Sequence, residues 1–382
     1  MMNEMSNANR KVSQKTMFAK VKQTSKTVVI MAGGTGGHVF PALAVAKELQ
    51  QDGVKVVWLG TRAGIESRLV PDAGYPIHYL SVSGLVGSGW KRKLKAPFML
   101  MVAVMQSINI LRKEKPQCVL GMGGFASGPG GLAAKLLGKR IIIHEQNAYA
   151  GFTNQKLSSF ADSILTGFRS CEGLPETSIW VGNPVRPEIA QQAKQASKKT
   201  DKAMNLLILG GSQGAKSLND ALPDCLASIA KDKEIRVWHQ TGAEKSESVN
   251  ARYQKLSNFK SVLVEEFIHD INVAYAWADL VVCRAGAMTI SELMAAGKPA
   301  ILVPFPHAAG DHQTKNARFM VNSDAAVLAA DDSLTSNQFV QQLKSLLISP
   351  ERLQQMSQNS ADLHRSTAAR QVADFCMVYL NA

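Results

Sequence analysis

Thr27-Val28-Val29-Ile30-Met31-Ala32-Gly33-Gly34-Thr35-Gly36-Gly37-His38 is a β-branched run ending in a glycine-dense turn, and an apolar-periodic stretch from Phe40 to Leu49 follows it. The pattern reads as strand, turn, helix. It recurs 177 positions later, where Leu206-Leu207-Ile208-Leu209 meets Gly210-Gly211-Ser212-Gln213-Gly214 and a helical pattern runs through Leu218 and Leu222. In this register Gly33 falls on Gly210, Gly34 on Gly211, Thr35 on Ser212 and Gly37 on Gly214, the mark of two similar domains. Around each unit, strand-like runs (Val54 to Leu59, Cys118 to Leu120, Arg140 to Ile143; Ile235 to Trp238, Leu280 to Cys283, Ala300 to Pro304) alternate with helical ones. Such alternation predicts α/β domains, each a doubly wound parallel sheet with helices on both faces.

The chain of 382 residues suits two domains with separate cores. The Pro- and Gly-punctuated segment Val181-Gly182-Asn183-Pro184-Val185-Arg186-Pro187 marks the boundary, giving domains over 27–186 and 187–365. With 46% hydrophobic and 19% charged residues, the composition is that of a globular protein. Five widely spaced cysteines without a CxxC pair argue against a zinc site or a disulfide framework and suit a reducing compartment. A net charge of +13 favours an anionic partner. Six basic residues against one acidic in residues 1–26 supply much of that excess, and this leader reads as disordered, without the apolar core of a secretory signal. The charge is therefore weak support for nucleic-acid binding, which also lacks a recognition motif. The apolar stretch Ala96 to Met105 falls short of the roughly 20 residues a membrane-spanning helix needs.

In open parallel sheets, ligands bind beyond the carboxyl ends of the strands, where helix N-termini present unpaired N–H groups suited to anions. The glycine loops occupy that place. Gly34-Thr35-Gly36-Gly37-His38-Val39 lacks the third glycine of a dinucleotide fingerprint, and Gly211-Ser212-Gln213-Gly214-Ala215-Lys216-Ser217 has Ala215 where a P-loop needs glycine, so NAD and Walker-type ATP hydrolysis are disfavoured. A third loop, Gly121-Met122-Gly123-Gly124, follows the Cys118 strand. One such loop is as readily a plain connection as a ligand cradle, but three at corresponding strand ends favour ligands.

His38, at the mouth of its helix, is either a general base or a capping and packing residue. His144-Glu145-Gln146-Asn147 puts four polar groups after the Ile141 to Ile143 strand. Ala287-Met288-Thr289-Ile290-Ser291-Glu292 opens a helix whose N–H groups suit a diphosphate; within it Glu292 closes a capping box with Thr289 or, alternatively, binds a ribose diol. Asp311-His312-Gln313 offers groups that read sugar hydroxyls. The chain has no D-x-D pair, so no metal and no cofactor are expected, and a leaving diphosphate would be met by helix N-termini, hydroxyls and Arg or Lys. The segment Leu85 to Met101 interleaves four basic residues with Trp90 and aliphatics, which fits either an anionic bilayer surface or a solvated helix start followed by a buried helix.

Taken together, the stretch Gly33 to Ala42, Gly121 to Gly124, His144 to Asn147, Gly182 to Arg186, Gly210 to Ala215 and Ala287 to Glu292 closely resemble glycosyltransferase family 28, specifically its bacterial UDP-N-acetylglucosamine:lipid I N-acetylglucosaminyltransferases of peptidoglycan synthesis. The resemblance runs from about Thr27 to the C-terminus. It implies a GT-B fold: two Rossmann-like domains facing across a cleft, with a last helix at about 366–382 returning to the first domain. It implies UDP-GlcNAc bound by Ile268 (uracil), Glu292 (ribose), Ser212 with Ala287, Met288, Thr289, Ile290 and Ser291 (diphosphate side) and Gln313 (sugar), with Thr35, Gly36, Gly37, Asn147 and Arg186 at further donor positions. Lipid I, undecaprenyl-diphosphate-linked MurNAc-pentapeptide, would enter through the first domain near Gly123, Gly124, His144 and Glu145. The implied reaction is inverting transfer to the C4 hydroxyl of MurNAc, with His38 as base and lipid II as product. The implied location is peripheral, on the cytoplasmic face of the inner membrane, through the Leu85 to Met101 patch. A UDP-GlcNAc 2-epimerase, a transferase with another acceptor, and a non-catalytic membrane scaffold are the competing readings. The Gly310-Asp311-His312 loop departs from some relatives in length and lacks a second amide, which leaves the sugar contact of Gln313 approximate.

Overall fold

The computed structural model describes residues 26–82, 90–195, 202–211, 213–256 and 258–381, with backbone alone over 90–95 and 194–195. The leader, Lys26 excepted, Ser212 and the start of the Leu85 to Met101 segment lie outside the described residues.

In the first half, β1 (Thr27–Met31), α1 (Gly36–Gln51), β2 (Lys55–Gly60), α2 (Glu66–Asp72), β3 (Ile77–Tyr79), α3 (Trp90–Glu114), β4 (Cys118–Gly121), α4 (Ser127–Leu136), β5 (Arg140–Glu145), α5 (Phe152–Leu157), β6 (Ser163–Thr166) and β7 (Ile179–Trp180) follow in order. The strands form one seven-stranded sheet in the order β3-β2-β1-β4-β5-β6-β7. A linker helix, α6 (Pro187–Gln195), leads to the second half: β8 (Met204–Leu209), α7 (Lys216–Ile229), β9 (Ile235–Gln240), α8 (Ser246–Gln254), β10 (Ser261–Glu265), α9 (Ile271–Trp277), β11 (Leu280–Cys283), α10 (Ala287–Ala296), β12 (Ala300–Leu302), α11 (His312–Val321) and β13 (Ala326–Leu328). Its sheet runs β10-β9-β8-β11-β12-β13. Helices α12 (Asn337–Leu347), α13 (Pro350–Asp362) and α14 (Ala368–Asn381) close the chain.

Every pairing between these strands is parallel. Central strands covered by helices on both faces must be apolar throughout, and β1 and β8 are buried at every residue. In both sheets the order 3-2-1-4-5-6 reverses direction next to the first strand, between β1 and β4 and again between β8 and β11. Loops leaving such neighbours part to opposite faces and open a crevice at the carboxyl edge. The glycine loops after β1, β4 and β8 and the turn before α10 stand at these two crevices.

The second half has two cores, one of which takes in Phe168 from the first half and Ile189 of α6. Helix α14 belongs with the first half: Val372, Ala373, Cys376 and Leu380 share a core with Val28, Val45, Leu49 and Cys118. The chain therefore crosses between the halves twice, and the crossings touch where the Arg365 guanidinium lies 3.8 Å over the Trp180 ring.

Candidate active site

The first glycine loop and the third are packed backbone to backbone. A Cβ on Gly124, at φ +86°, would stand 2.2 Å from the Gly33 carbonyl oxygen, so no other residue fits. Gly123 has no Cβ because the His38 ring occupies that space: a Cβ there would lie 2.9 Å from Nε2 of His38. Beneath the first loop sits Glu66, fully buried, whose carboxylate accepts the N–H of Gly34 at 2.9 Å and both the N–H and hydroxyl of Thr61 at 2.8 Å. Nothing in the sequence singled out Glu66, because its role depends on three glycines, Gly33, Gly60 and Gly64, that clear space for it.

His38 is the third residue of α1, and Thr35 is the residue before that helix. The Nδ1 of His38 lies 3.2 Å from the Gly33 carbonyl and 3.4 Å from the Thr35 hydroxyl. A carbonyl can only accept, so Nδ1 carries the proton and the Nε2 lone pair faces the third loop. Desolvation holds this imidazole below its ordinary pKa, against the pull of Glu145, the Gly33 carbonyl and Glu66. It is thus a neutral imidazole with an open nitrogen at the mouth of a helix. The N–H groups of Gly36 and Gly37, in the first turn of α1, have no hydrogen-bond partner among the described residues, as helix geometry requires.

The strand β5 runs on through His144 and Glu145, which corrects the reading of all four residues 144–147 as following the strand. His144, Glu145 and Gln146 are all buried. Nε2 of His144 donates to the Gly182 carbonyl at 2.9 Å and its Nδ1 accepts from Gln146 at 3.1 Å; burial pushes its pKa down to about 4. Glu145 accepts from the N–H and side-chain amide of Asn147 and from Gly151 N–H, all at 3.0 Å, and from Asn154 at 2.9 Å. Both side chains have their polar atoms engaged by the protein, so they shape the loop and the crossing rather than touch an acceptor. Asn147 alone of the four is half-exposed.

In the second half, helix α10 begins at Ala287, with Gly286 as its cap residue. Thr289 therefore lies inside the first turn, and the capping box with Glu292 does not form. The first-turn N–H groups of Ala287, Met288 and Thr289 point out of the helix start unpaired among the described residues. Ile290 is in the core, and the Ser291 hydroxyl donates to the Ala287 carbonyl at 2.8 Å, so neither side chain reaches the crevice. Glu292 accepts from the Tyr275 hydroxyl at 3.1 Å and stands 3.9 Å from the Arg186 guanidinium; desolvation raises its pKa, with Arg186 and Tyr275 opposing. Ile268 follows β10, is buried, and has no backbone hydrogen bond to another described residue.

Beside these lies a cavity of about 620 Å³ lined by Gln213, Lys216, Arg284, Phe305, His307 and Gln313 among others. Arg284 is tied to Asp331 and, at 2.9 Å, to the Ser217 hydroxyl, so it braces the cavity floor. Gln313 accepts from the Phe305 N–H at 2.9 Å, leaving its amide NH₂ without a partner among the described residues.

Polar contacts join the halves beside this crevice. Buried Asn316 accepts the Ala148 N–H at 2.7 Å and donates to the side-chain amide oxygen of Asn147 at 3.2 Å. Buried Asn183 donates to the Gln146 carbonyl at 3.0 Å and the Ser291 hydroxyl at 2.9 Å. Across the opening, the Arg186 guanidinium lies 5.8 Å from the ring centroid of Phe40, two residues past His38, while facing Glu292 on the other side. One side chain thus spans from the helix bearing the imidazole to the helix bearing the carboxylate. Sequence reasoning passed over Asn316, Asn183 and Tyr275 as site-builders, since their partners are on distant segments.

Residues 28–166 match the glycosyltransferase family 28 N-terminal domain and residues 205–372 the glycosyltransferase family 28 C-terminal domain. A curated relative from Shewanella sp. (strain ANA-3), the UDP-N-acetylglucosamine--N-acetylmuramyl-(pentapeptide) pyrophosphoryl-undecaprenol N-acetylglucosamine transferase, is 46% identical over 92% of this chain and 97% of its own. The protein of the same description from Shewanella halifaxensis is 47% identical over 92% of this chain and 96% of its own. The crystal structure of Acinetobacter baumannii MurG superposes with a TM-score of 0.80 at 38% identity, covering 92% of this chain and 99% of that one.

Proposed function

The chain belongs to glycosyltransferase family 28, and from that premise we infer that it moves GlcNAc from UDP-GlcNAc to the C4 hydroxyl of MurNAc in lipid I, giving lipid II for peptidoglycan synthesis. It is an N-acetylglucosaminyltransferase of GT-B architecture. The observation that carries the division of labour is Arg186, which brings Phe40 beside His38 and Glu292 on the donor side to opposite ends of one guanidinium.

In this reading the donor lies on the second domain. The backbone of Ile268 meets uracil, Glu292 the ribose diol, and the first turn of α10 the diphosphate, with Ser212 beside it. Gln313 offers its free amide to the sugar, and Thr35, Gly36, Gly37, Asn147 and Arg186 close on the donor from the other side. The acceptor diphosphate lies at the first and third glycine loops. The C4 oxygen attacks the anomeric carbon, the bond from that carbon to the diphosphate oxygen breaks, and the hydroxyl proton passes to Nε2 of His38. Charge developing on UDP is met by the α10 amides, fixed dipoles already aimed at it.

No helix among the described residues is long and apolar enough to cross a membrane. Phe98, Met101 and Met105 on α3 are nonetheless more than half exposed, an apolar face that supports peripheral attachment at an anionic bilayer surface on the cytoplasmic side of the inner membrane.

Purified protein given labelled UDP-GlcNAc and lipid I is expected to convert the label into a disaccharide-bearing lipid and to leave the donor unchanged when lipid I is omitted. Isomerised sugar nucleotide without acceptor would instead mark a 2-epimerase, transfer to a different acceptor would redirect the reading, and absence of any released UDP would mark a scaffold.

A further inference from the structure

On the outer side of the third glycine loop, a cavity of about 700 Å³ opens between α3, α4 and α5. Its walls are Met99 and Leu100 from α3, Phe125 and Leu132 beside and on α4, Phe152 at the start of α5 and Phe160 in the turn after it, with Thr153 and Lys156 its only polar lining residues. Phe125, Gly128, Pro129 and Leu132 follow the spacing of one helical face, so the apolar wall starts immediately after Gly124 and runs along α4, a helix about 15 Å long. Phe125, Leu132, Leu100 and Phe152 remain 45%, 38%, 45% and 74% exposed. Lys135 and Lys156 stand over the Phe160 and Phe152 rings at 5.8 and 5.4 Å, placing cations at the rim.

We infer that this groove is a subsite for the first isoprene units of the polyprenyl chain on the lipid-linked acceptor. The inference rests on the acceptor reading above, which puts a diphosphate at the loop where the groove begins. An amphiphile with a diphosphate head and a hydrocarbon tail matches the two adjoining surfaces in order: backbone amides and glycines, then an unbroken apolar trough with basic edges. The groove is concave and lies between helices, unlike the outward-facing Phe98, Met101 and Met105, so it takes a chain drawn out of the bilayer rather than the bilayer surface itself.

The test uses the full protein without membranes or micelles and a series of MurNAc-pentapeptide diphosphates esterified to no isoprene or to one, two, three or four units. Acceptor KM is expected to fall roughly tenfold per unit over the first units and then level off as the groove fills. In Leu132→Gln and Phe152→Gln, both at exposed positions, that slope flattens while the KM for UDP-GlcNAc stays as in the wild type. Binding of farnesyl diphosphate against inorganic diphosphate reads the same groove without catalysis: the wild type prefers the farnesyl probe, and the variants lose the preference. Equal KM across the series, or variants that weaken only vesicle binding, would overturn the subsite. Absence of transfer together with a retained farnesyl preference would refute the assigned reaction and leave the groove standing.

Discussion

Replacing His38 by alanine lowers kcat by roughly 10²–10⁴-fold, the usual contribution of a positioned general base, while UDP-GlcNAc affinity is unchanged. The split follows from geometry. Nδ1 of His38 is committed to the Gly33 carbonyl, so the ring does one thing toward substrate, which is to present Nε2 beside Gly123. The donor contacts proposed above lie chiefly on the other domain, and none of them is made by the imidazole. The pH profile supplies a second readout. Burial favours the neutral ring, so the acidic limb of kcat/KM falls below the ordinary imidazole value near 6.5, and it disappears in the variant. The same shift sets a stability slope: with the folded pKa below the unfolded one, the neutral ring costs nothing above pH 6.5, and stability declines as pH drops below it. His38→Ala acting at the wild-type rate, or raising only the donor KM, would remove the imidazole from the chemistry.

Glu292→Gln weakens UDP-GlcNAc binding by roughly 10–100-fold with the unfolding midpoint nearly unmoved. A hydrogen bond to a charged group is worth about 1.5–3 kcal/mol, and a carboxylate can accept both hydroxyls of a diol where an amide offers one acceptor oxygen. The amide keeps that oxygen for the Tyr275 hydroxyl, so the buried phenol is not orphaned. Isothermal titration with the donor and thermal unfolding measure the two effects separately. Had Glu292 been a capping residue, stability would fall and donor binding would persist; the start of α10 at Ala287 already leaves it no cap to make.

The central strands were legible in the sequence because burial on both faces forces continuous apolar runs, and β1, β4, β8 and β11 match those runs. The offset that aligns Gly33 with Gly210 also aligns Thr27 with Met204, the first residues of β1 and β8. The edge strands were not legible. In β3 every residue is only half-buried, and no residue of β10 is buried, its apolar stretch being the three residues Val262-Leu263-Val264, so neither carries the long apolar run that burial on both faces demands. The site shows the same division. Gly123 and Gly124, and the helix starts at Gly36 and Ala287, could be read locally because backbone anion sites depend on short-range geometry. His144 and Glu145 could not, since their partners at Gly182 and Asn154 determine that they face inward. Glu66 and Asn316 were invisible for the same reason: a buried polar side chain is defined by the distant groups that satisfy it.

The account rests on a single displacement: the acceptor hydroxyl, its proton taken by one base on the first domain, attacks a donor held by the second. Proton NMR of the disaccharide formed from UDP-GlcNAc, in which the sugar is α-linked, tests it most directly. A β-1,4 linkage, seen as the large coupling of an axial anomeric proton, is the predicted result; an α-linked product, or a glycosyl group trapped covalently on the protein, would contradict it.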